Sequence, residues 1–476
     1  MNLEIFEFVT LIIWFAVTIF ACIYSLNFYI LVWLSRKGQK HSLTRVREES
    51  LPFVSIHIPT YNEAGVIEET LKACLELNYP REKLEVIIID DSTDETTEIL
   101  KRYVNENPRF FTLIHRERRE GYKAGALQTA LKKSKGEYIL ILDADTIPER
   151  DFLIKALTPF YEDEKIAFVQ GRLGYKNRNE SWITRAVSLI YEWYRVFTQK
   201  ALSNGGLYVA SVGSAVVYRK EALGKVGGWS WDTLTEDLDI SFRLQMNGWR
   251  GLYLDEAYCV DEVPRTYRNF RRQFDRHIKG PVQNLRKHLR SLLKRRELGV
   301  LGKFEALMVL SSPISFMAGL FSFITGLAFY LLSSPSNIKS LWLSPVGVAF
   351  SFIFAASLAA PLVGYYDALR SRDMGEVKSL AILGLIMTDS LLVGTLSIIE
   401  LLFKRYRWER TEKGALKTEG KGVKMELSFS AETVLRWLIS LMSIAVFIVL
   451  AGKGLALYSW GFLIPPICWL LAGFLK

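Results

Sequence analysis

Cysteine and histidine are scarce in this chain of 476 residues, which has four of the first and five of the second. The cysteines are Cys22, Cys74, Cys259 and Cys468. Their wide spacing fits neither a disulfide framework nor a cysteine-based metal site, and we expect buried free thiols. A glycine-rich phosphate loop is also absent, so any phosphate that the chain binds has to be held by a metal ion or by basic side chains.

Charged residues are few in residues 6–34 and in most of the chain after residue 304, whereas residues 36–300 have the composition of a soluble protein. The first apolar segment lacks the basic N-terminal region and the small-residue cleavage site of a signal peptide. It is long enough to cross ~30 Å of hydrocarbon. We therefore expect a membrane anchor that is kept.

The formal net charge of +10 does not indicate a nucleic-acid partner, because the positive residues cluster beside the apolar segments. This distribution is typical of membrane proteins, whose basic loops stay on the cytoplasmic side. The N-terminus is acidic and the segment after the first apolar stretch is basic. The sequence therefore predicts an integral protein of the plasma or cell membrane with its soluble part in the cytoplasm.

The charge pattern predicts five crossings, of which the first is the N-terminal anchor. The others lie near 306–332, 341–366, 431–450 and 455–475. Residues 379–403 are predicted to form an interfacial or re-entrant helix instead, because a full crossing would leave the basic residues 404–424 outside. Asp389 would also lie in lipid, where an ionisable group is costly. Six crossings are the alternative.

Between residues 52 and 260, short β-rich runs alternate with helical patterns, which indicates an α/β sheet. Two of the apolar strand patterns end in carboxylates: "LEVIIIDDS" ends in Asp90 and Asp91, and "EYILILDAD" ends in Asp143 and Asp145. Ligands of open α/β sheets bind beyond the carboxyl ends of the strands. Two acidic strand ends therefore predict a site for a ligand that carries a cation.

Each acidic pair also has a structural interpretation. Asp90 and Asp91 could belong to a turn before a helix that Ser92 or Thr93 caps. Capping does not explain "DAD", because no helical pattern follows it directly. Carboxylates favour Mg²⁺ or Mn²⁺, and no histidine lies near either pair in the sequence, which argues against zinc.

A third acidic cluster begins "TEDLDISFRL", an amphipathic helical pattern that starts at Thr235, Glu236 and Asp237. Acidic residues at a helix start are favourable for the helix dipole, so a simple N-cap is one interpretation. The other is that Asp237 is a catalytic base that faces the first two clusters.

In order along the chain, "REGYKAGALQTAL", "GSAVVYRKEAL", "TEDLDISFRL", "RNFRRQFDRHIKGP" and "WERTEKG" resemble the landmarks of membrane-bound family-2 glycosyltransferases. The nearest likeness is to the cellulose-synthase-like A and C group, the glucomannan and xyloglucan backbone synthases. The resemblance runs from about Pro52 to Lys413. It implies an α/β GT-A fold, a Rossmann-like mixed sheet, inserted in an α-helical transmembrane bundle with interface helices.

The resemblance also implies roles for single residues. Donor contacts are implied for Asp90, Asp91, Lys123, Asp143 and Thr411, the last in a gating loop. Asp143 and Asp145 would hold Mg²⁺ or Mn²⁺, Asp237 would be the base with Glu236 beside it, and Gln273 and Arg276 form the glutamine–x–x–arginine motif. Acceptor contacts are implied for His277, Gly213 and Trp229. His277 stands where a tryptophan is expected, and Trp182, Trp193 and Trp231 offer further stacking surfaces.

The resemblance implies inverting transfer of a hexose from a UDP- or GDP-sugar to a growing β-linked polysaccharide, with translocation through the membrane. Transfer of a single sugar to a lipid acceptor is the alternative. The expected partners are the sugar nucleotide, a glycan or lipid acceptor and membrane lipid. The expected segments are an anchor (1–35), the GT-A domain (36–263), interface helices (264–300), a transmembrane hairpin (301–366), an interfacial helix with the gating loop (367–430) and a C-terminal hairpin (431–476).

Overall fold

The computed structural model describes residues 3–38, 50–369, 377–403 and 431–472. Thr411, the residue proposed for the gating loop, lies outside these ranges, as does the basic segment 404–424.

The soluble part is built on one mixed sheet of eight strands. They are β1 (Val54–Thr60), β2 (Leu84–Asp90), β3 (Phe111–His115), β4 (Tyr138–Ile141), β5 (Ile147–Pro148), β6 (Ile166–Tyr175), β7 (Val216–Arg219) and β8 (Arg250–Asp261). Their order is β3-β2-β1-β4-β7-β6-β8-β5. Strands β1 to β4 pair in parallel, β7 runs antiparallel between β4 and β6, and β6 pairs in parallel with β8. The predicted α/β architecture with a mixed sheet is confirmed.

Ten α-helices begin before residue 299 in the described part of the chain. They are α1 (Leu3–Ser35), α2 (Ile67–Leu75), α3 (Thr96–Glu106), α4 (Tyr122–Lys133), α5 (Phe152–Glu162), α6 (Trp182–Tyr191), α7 (Gln199–Asn204), α8 (Lys220–Lys225), α9 (Glu236–Met246) and α10 (Tyr267–Lys294). A π-helical stretch, Glu192–Thr198, joins α6 to α7. Strand β2 is buried along its whole length, as its uninterrupted apolar sequence predicts.

The sheet has an apolar core on each face. One contains Ile56, Val86 and Leu140 together with residues of α2, α3 and α5. The other contains residues of α4, α7 and α9 and also the last turn of α1, where Leu31 and Leu34 are buried. The last turn of the N-terminal helix is therefore packed into the core of the soluble domain.

The apolar C-terminal part forms eight helices within the described residues. They are α11 (Gly299–Ser311), α12 (Ile314–Leu332), α13 (Pro335–Leu343), α14 (Pro345–Leu369), α15 (Val377–Phe403), α16 (Ala431–Gly452), α17 (Ala456–Ser459) and α18 (Ile464–Ala472). Four segments of the described chain are long and apolar enough to cross a membrane: Glu4–Ser35, Ile314–Leu332, Pro345–Val363 and Ile382–Phe403.

Residues 379–403 were predicted to be interfacial or re-entrant; Ile382–Phe403 is long and apolar enough to cross a membrane, and its position in the bilayer stays a prediction. They belong to α15, an uninterrupted helix of 27 residues that packs against α12 and α18. Asp389 does not face lipid, because Arg436 donates to its two oxygens at 2.7 and 3.0 Å. A paired carboxylate removes the main physical objection to a spanning helix. The last predicted crossing is also divided, into α17, a short 3₁₀ turn and α18.

Candidate active site

The sheet register brings the acidic strand ends together. Thr60 at the end of β1 pairs with Asp90 at the end of β2, which pairs with His115 at the end of β3. Strand β4 ends beside them at Ile141, where the antiparallel β7 begins with Val216. The two acidic pairs and the loop before β7 therefore lie along one edge of the sheet, the edge at which open α/β sheets bind ligands.

Asp90 lies at this edge, but its side chain is wholly buried, and its contact with the nucleotide stays a prediction. It accepts hydrogen bonds from the Ser92 backbone at 3.0 Å and from the Thr97 hydroxyl at 2.7 Å, and His115 Nδ1 lies 2.9 Å away. Burial raises the pKa of Asp90, but these hydrogen bonds outweigh it and the pKa lies below the usual range. Asp90 fixes the turn after β2. Neither Ser92 nor Thr93 caps α3, which begins only at Thr96.

Asp91 is the member of this pair that borders the site. Arg116, directly after β3, donates to both of its oxygens at 2.7 and 2.5 Å. The guanidinium of Arg119 lies 3.5 Å from the centre of the Tyr61 ring and 5.3 Å from that of Tyr122. Planar cationic and aromatic groups beside a carboxylate suit a nucleobase and its ribose. The role of Asp91 in binding nucleotide stays a prediction.

Lys123 connects the separate acidic clusters. It lies in the first turn of α4, and its ammonium is 2.5 Å from Oδ1 of Asp143 and 2.9 Å from the carbonyl oxygen of Gly213. Oε1 of Glu236 is 3.9 Å away. Burial lowers the pKa of Lys123, but the surrounding carboxylates outweigh this and hold the pKa above its usual value. The side chain therefore carries a fixed positive charge at the centre of the site.

The turn after β4 fits a divalent cation by the chemistry of its donors. It carries Asp143, which is partly exposed, and Asp145, which is buried, and no helix follows until Phe152. Two carboxylates are what Mg²⁺ or Mn²⁺ takes from a protein when substrate phosphates complete its coordination. A cluster of three or more histidine, cysteine, aspartate or glutamate ligands does not occur in the described residues. His115 reaches Asp90 in space, although no histidine lies near the acidic pairs in the sequence.

Glu236 and Asp237 are the first residues of α9, as predicted. Thr235 precedes the helix, but its side chain makes no capping hydrogen bond. Burial raises the pKa of both carboxyl groups, in Glu236 to about 7 with a further contribution from the charge of Asp237. Lys123 and Arg276 act in the opposite direction without cancelling the increase. A carboxylate whose pKa approaches the working pH is suited to general-base catalysis.

Gly213 has φ of +83°, and a Cβ atom there would lie 3.0 Å from Oδ2 of Asp237 and 3.2 Å from the Lys123 ammonium. The loop is held by Gln170, which accepts from the backbone of Val212 and donates to the carbonyl of Ser214. A side chain at position 213 would therefore strain the backbone and crowd the two charged groups. The predicted acceptor contact of Gly213 stays a prediction.

Helix α10 carries Gln273 and Arg276 to the same region. Gln273 is buried and accepts a hydrogen bond of 2.5 Å from the Tyr191 hydroxyl, so its amide is part of the packing between α6 and α10. The charge of Arg276 lowers the pKa of both Glu236 and Asp237, which places it within electrostatic reach of the carboxylates.

His277 is half-buried, and its ring centre lies 6.1 Å from that of Tyr191. Burial, with Arg276 and Arg195 nearby, holds the pKa of His277 well below its usual value. The imidazole is therefore neutral at physiological pH, and it can offer a ring face and a hydrogen bond to a sugar hydroxyl. Its role at the acceptor stays a prediction.

The structure places Trp229 in the core. Only 5% of the residue is exposed, and its indole packs edge-on against Tyr218. This burial argues against stacking on an acceptor, and the acceptor contact stays a prediction. Trp231, two residues later, is 52% exposed and lies over Gly121, immediately before the helix of Lys123. It is the better candidate for a stacking surface.

Sequence reasoning missed the arginines that organise the nucleotide end of the site. Arg116 and Arg119 lie in the run "HRERREG", whose many charged residues are typical of an exposed loop. The sequence feature that could have identified them is their position, because Arg116 comes after the apolar strand "FTLI". Basic residues at a strand end that neighbours an acidic strand end are expected to pair with it.

The comparisons with known proteins agree with this geometry. Residues 55–227 match the family described as glycosyl transferase family 2. Glucomannan 4-beta-mannosyltransferase 7 of Arabidopsis thaliana is 30% identical over 297 residues, which are 61% of this chain and 52% of that protein. Glucomannan 4-beta-mannosyltransferase 1 of Oryza sativa subsp. japonica is 31% identical over 296 residues, 61% of this chain and 56% of that protein. The chain thus spans about half the length of the curated relatives it matches.

One solved structure resembles the fold over most of its own length. It is the mannosyltransferase PcManGT from Pyrobaculum calidifontis in complex with GDP-Man and Mn²⁺, with 26% sequence identity and a TM-score of 0.53. The match covers 75% of this chain and 98% of that one. Residues 55–227 therefore belong to a family-2 glycosyltransferase domain with the GT-A fold, in a chain that is similar to the glucomannan mannosyltransferases.

Proposed function

We propose that this chain transfers mannose, with inversion, from GDP-mannose to a growing β-linked glycan. The observation that carries the proposal is the position of Lys123, which contacts Asp143 and Gly213 and lies near Glu236. Mannosyltransferase relatives and the GDP-Man complex of a similar structure support mannose and guanine over other sugars and bases.

In the proposed reaction, Asp237 accepts the proton of the acceptor hydroxyl as that oxygen attacks the anomeric carbon. The bond to the diphosphate breaks on the opposite face, so the configuration inverts. Lys123 and Arg276 take up the negative charge that develops on the leaving group. Asp143 and Asp145 would hold Mg²⁺ or Mn²⁺, which as a Lewis acid stabilises negative charge on the diphosphate when bound.

The acceptor is proposed to be a glycan that leaves through the apolar helices, with the catalytic domain in the cytoplasm. The packing of the last turn of α1 into the domain core supports this arrangement, since it holds the site against the helical bundle. A single transfer to a lipid is the second candidate. It is favoured by the burial of Trp229 and by the imidazole of His277, which leave a smaller aromatic surface for a sugar chain.

The test uses the purified full-length chain in lipid nanodiscs with GDP-mannose, GDP-glucose, UDP-glucose and UDP-N-acetylglucosamine. Released nucleoside diphosphate and the size of the labelled product are measured. We expect turnover to be fastest with GDP-mannose and to give a ladder of oligosaccharides. One mannosylated lipid would establish the second candidate, and no transfer from any donor would refute both.

A further inference from the structure

Helix α10, the helix of the glutamine–x–x–arginine motif, is joined to α15 by two groups of polar contacts. In the first, the Tyr267 hydroxyl donates to Oδ2 of Asp389, which also accepts a hydrogen bond from Arg436 of α16. In the second, the Ser397 hydroxyl donates to Oδ1 of Asp275 at 2.6 Å. Both groups join the same two helices.

The spacing of these contacts shows how the helices lie. Tyr267 and Asp275 are eight residues apart on α10, and Asp389 and Ser397 are eight residues apart on α15. At ~1.5 Å of rise per residue, each interval is about 12 Å. The two helices therefore run side by side in the same direction over more than two turns.

Lys279 completes the second group. Its side chain is wholly buried, and its ammonium lies 2.8 Å from Oδ2 of Asp275 and 2.7 Å from Glu400 on α15. A buried ammonium is stabilised by its carboxylate partners, and loss of either would leave its charge less fully compensated, although 41% of the Glu400 side chain is exposed. The contact consequently resists sliding of one helix along the other.

The other side of α10 contacts Thr235, two residues before the proposed base. A Cβ atom on Gly280 would lie 2.4 Å from Cγ2 of Thr235, the residue before α9. Asn284 donates to the Thr235 hydroxyl at 3.0 Å. Helix α10 thus lies between α15 and the helix start that carries Glu236 and Asp237.

We propose that Lys279 is a positioning residue. Together with Asp275 and Glu400, it fixes α10 against α15 and thereby sets the position of Arg276 relative to Asp237. This inference rests on the proposed function for its effect on turnover, but the helix contact itself can be measured without any substrate.

The first measurement is a distance between spin labels on the full-length chain. The labels are placed at Arg272→Cys on α10 and Leu402→Cys on α15, both exposed positions, in a Cys468→Ala background. Cys22, Cys74 and Cys259 are buried and stay in place. We expect Glu400→Gln to broaden the distance distribution and Lys279→Met to broaden it further. Glu106→Gln, the same chemical change at an exposed helical position, is the control.

The second measurement separates kcat from KM in the same variants, each compared at equal amounts of folded protein. We expect Glu400→Gln to lower kcat about 10- to 100-fold, because small misplacements of catalytic groups are costly. The KM for the sugar nucleotide should change less than about twofold, since Lys123 and Asp143 are untouched and Arg276 acts on charge that develops in the transition state. Glu400→Asp, which keeps the charge, should recover most of the loss.

Unchanged distance distributions in both variants would overturn the contact between the helices. A broadened distribution with wild-type kcat would overturn its role in catalysis. If the wild-type chain transfers no sugar from any donor, the proposed function fails, and the distances still decide whether Lys279 holds α10 to α15.

Discussion

The ammonium of Lys123 lies 2.5 Å from Oδ1 of Asp143, although the two residues belong to different elements of the domain. Lys123 starts α4, and Asp143 follows β4. Because Glu236 is within 3.9 Å of the same ammonium, one cation holds carboxylates from two separate parts of the sequence. The site is therefore assembled around a positive charge before any substrate binds.

Replacement of Lys123 by methionine should weaken donor binding and turnover. The ammonium is expected to form a charge-assisted hydrogen bond to the diphosphate in place of part of its contact with Asp143. Such a bond contributes about 1.5–3 kcal/mol. We expect about 10- to 100-fold weaker binding of GDP in calorimetry. Lys133→Met, at the exposed end of the same helix, should bind GDP as the wild type does. Equal affinity in both variants would remove Lys123 from the donor site.

The raised pKa of Glu236 predicts the pH dependence of activity. Its carboxyl group, with a pKa of about 7, loses its proton near neutrality, and the charge of Asp237 contributes to this high pKa. If this ionisation sets the ascending limb of the kcat profile, Glu236→Gln should shift the limb to lower pH. An unshifted limb would show that Glu236 does not set it.

The same shift makes a prediction about stability. A carboxyl group with a higher pKa in the folded state binds its proton more tightly there. The bound proton therefore stabilises the folded state fully below the unfolded pKa of about 4.5, and this stabilisation is lost as the pH rises through about 7. Glu236→Gln should thus raise the thermal unfolding temperature more at pH 8 than at pH 5. An equal change at both pH values would contradict the assigned pKa.

Activity should require a divalent cation held by the turn after β4. Removal of metal by excess chelator should abolish transfer, and Mg²⁺ or Mn²⁺ should restore it. Asp145→Ala should weaken GDP binding in the presence of Mn²⁺ and leave binding in chelator unchanged. Asp232→Asn, in the loop before α9, is a matched control. Full activity in chelator would exclude the metal role of Asp143 and Asp145.

Substitution of His277 should act on the acceptor. Loss of the ring in His277→Ala is expected to cost roughly 0.5–1.5 kcal/mol of stacking and to shorten the products without changing donor hydrolysis. His277→Trp should preserve or lengthen them. Trp231→Ala tests the exposed indole over Gly121 by the same product-length profile. Profiles that do not respond to any of the three variants would place the acceptor elsewhere.

The sequence predicts the sheet and the acidic strand ends well because each depends on local patterns. Buried strands such as β2 have continuous apolar runs, and the carboxylates follow them directly. The burial of Asp90 and Trp229 was not predicted, because burial depends on neighbours that are distant in sequence. Asp90 is enclosed by Thr97 and His115, and Trp229 by Tyr218.

Residues 379–403 show the same limit of prediction from sequence in the apolar part of the chain. A lone Asp389 in an apolar segment argues against a crossing when its partner is unknown. Arg436, which neutralises it, lies 47 residues later on α16. The pairing depends on how the helices pack, and this packing cannot be predicted from the hydropathy of the sequence.

The most direct test of the central claim compares the wild type with Asp237→Asn in the full-length chain supplied with GDP-mannose. The anomeric configuration of the product is read by NMR, and GDP binding is measured in the same samples. The wild type should form a β-linked mannoside, whereas Asp237→Asn should lose at least about a hundredfold in kcat and still bind GDP. An α-linked product, or a variant that keeps more than a few per cent of the activity, would contradict Asp237 as the base of an inverting mannosyltransferase.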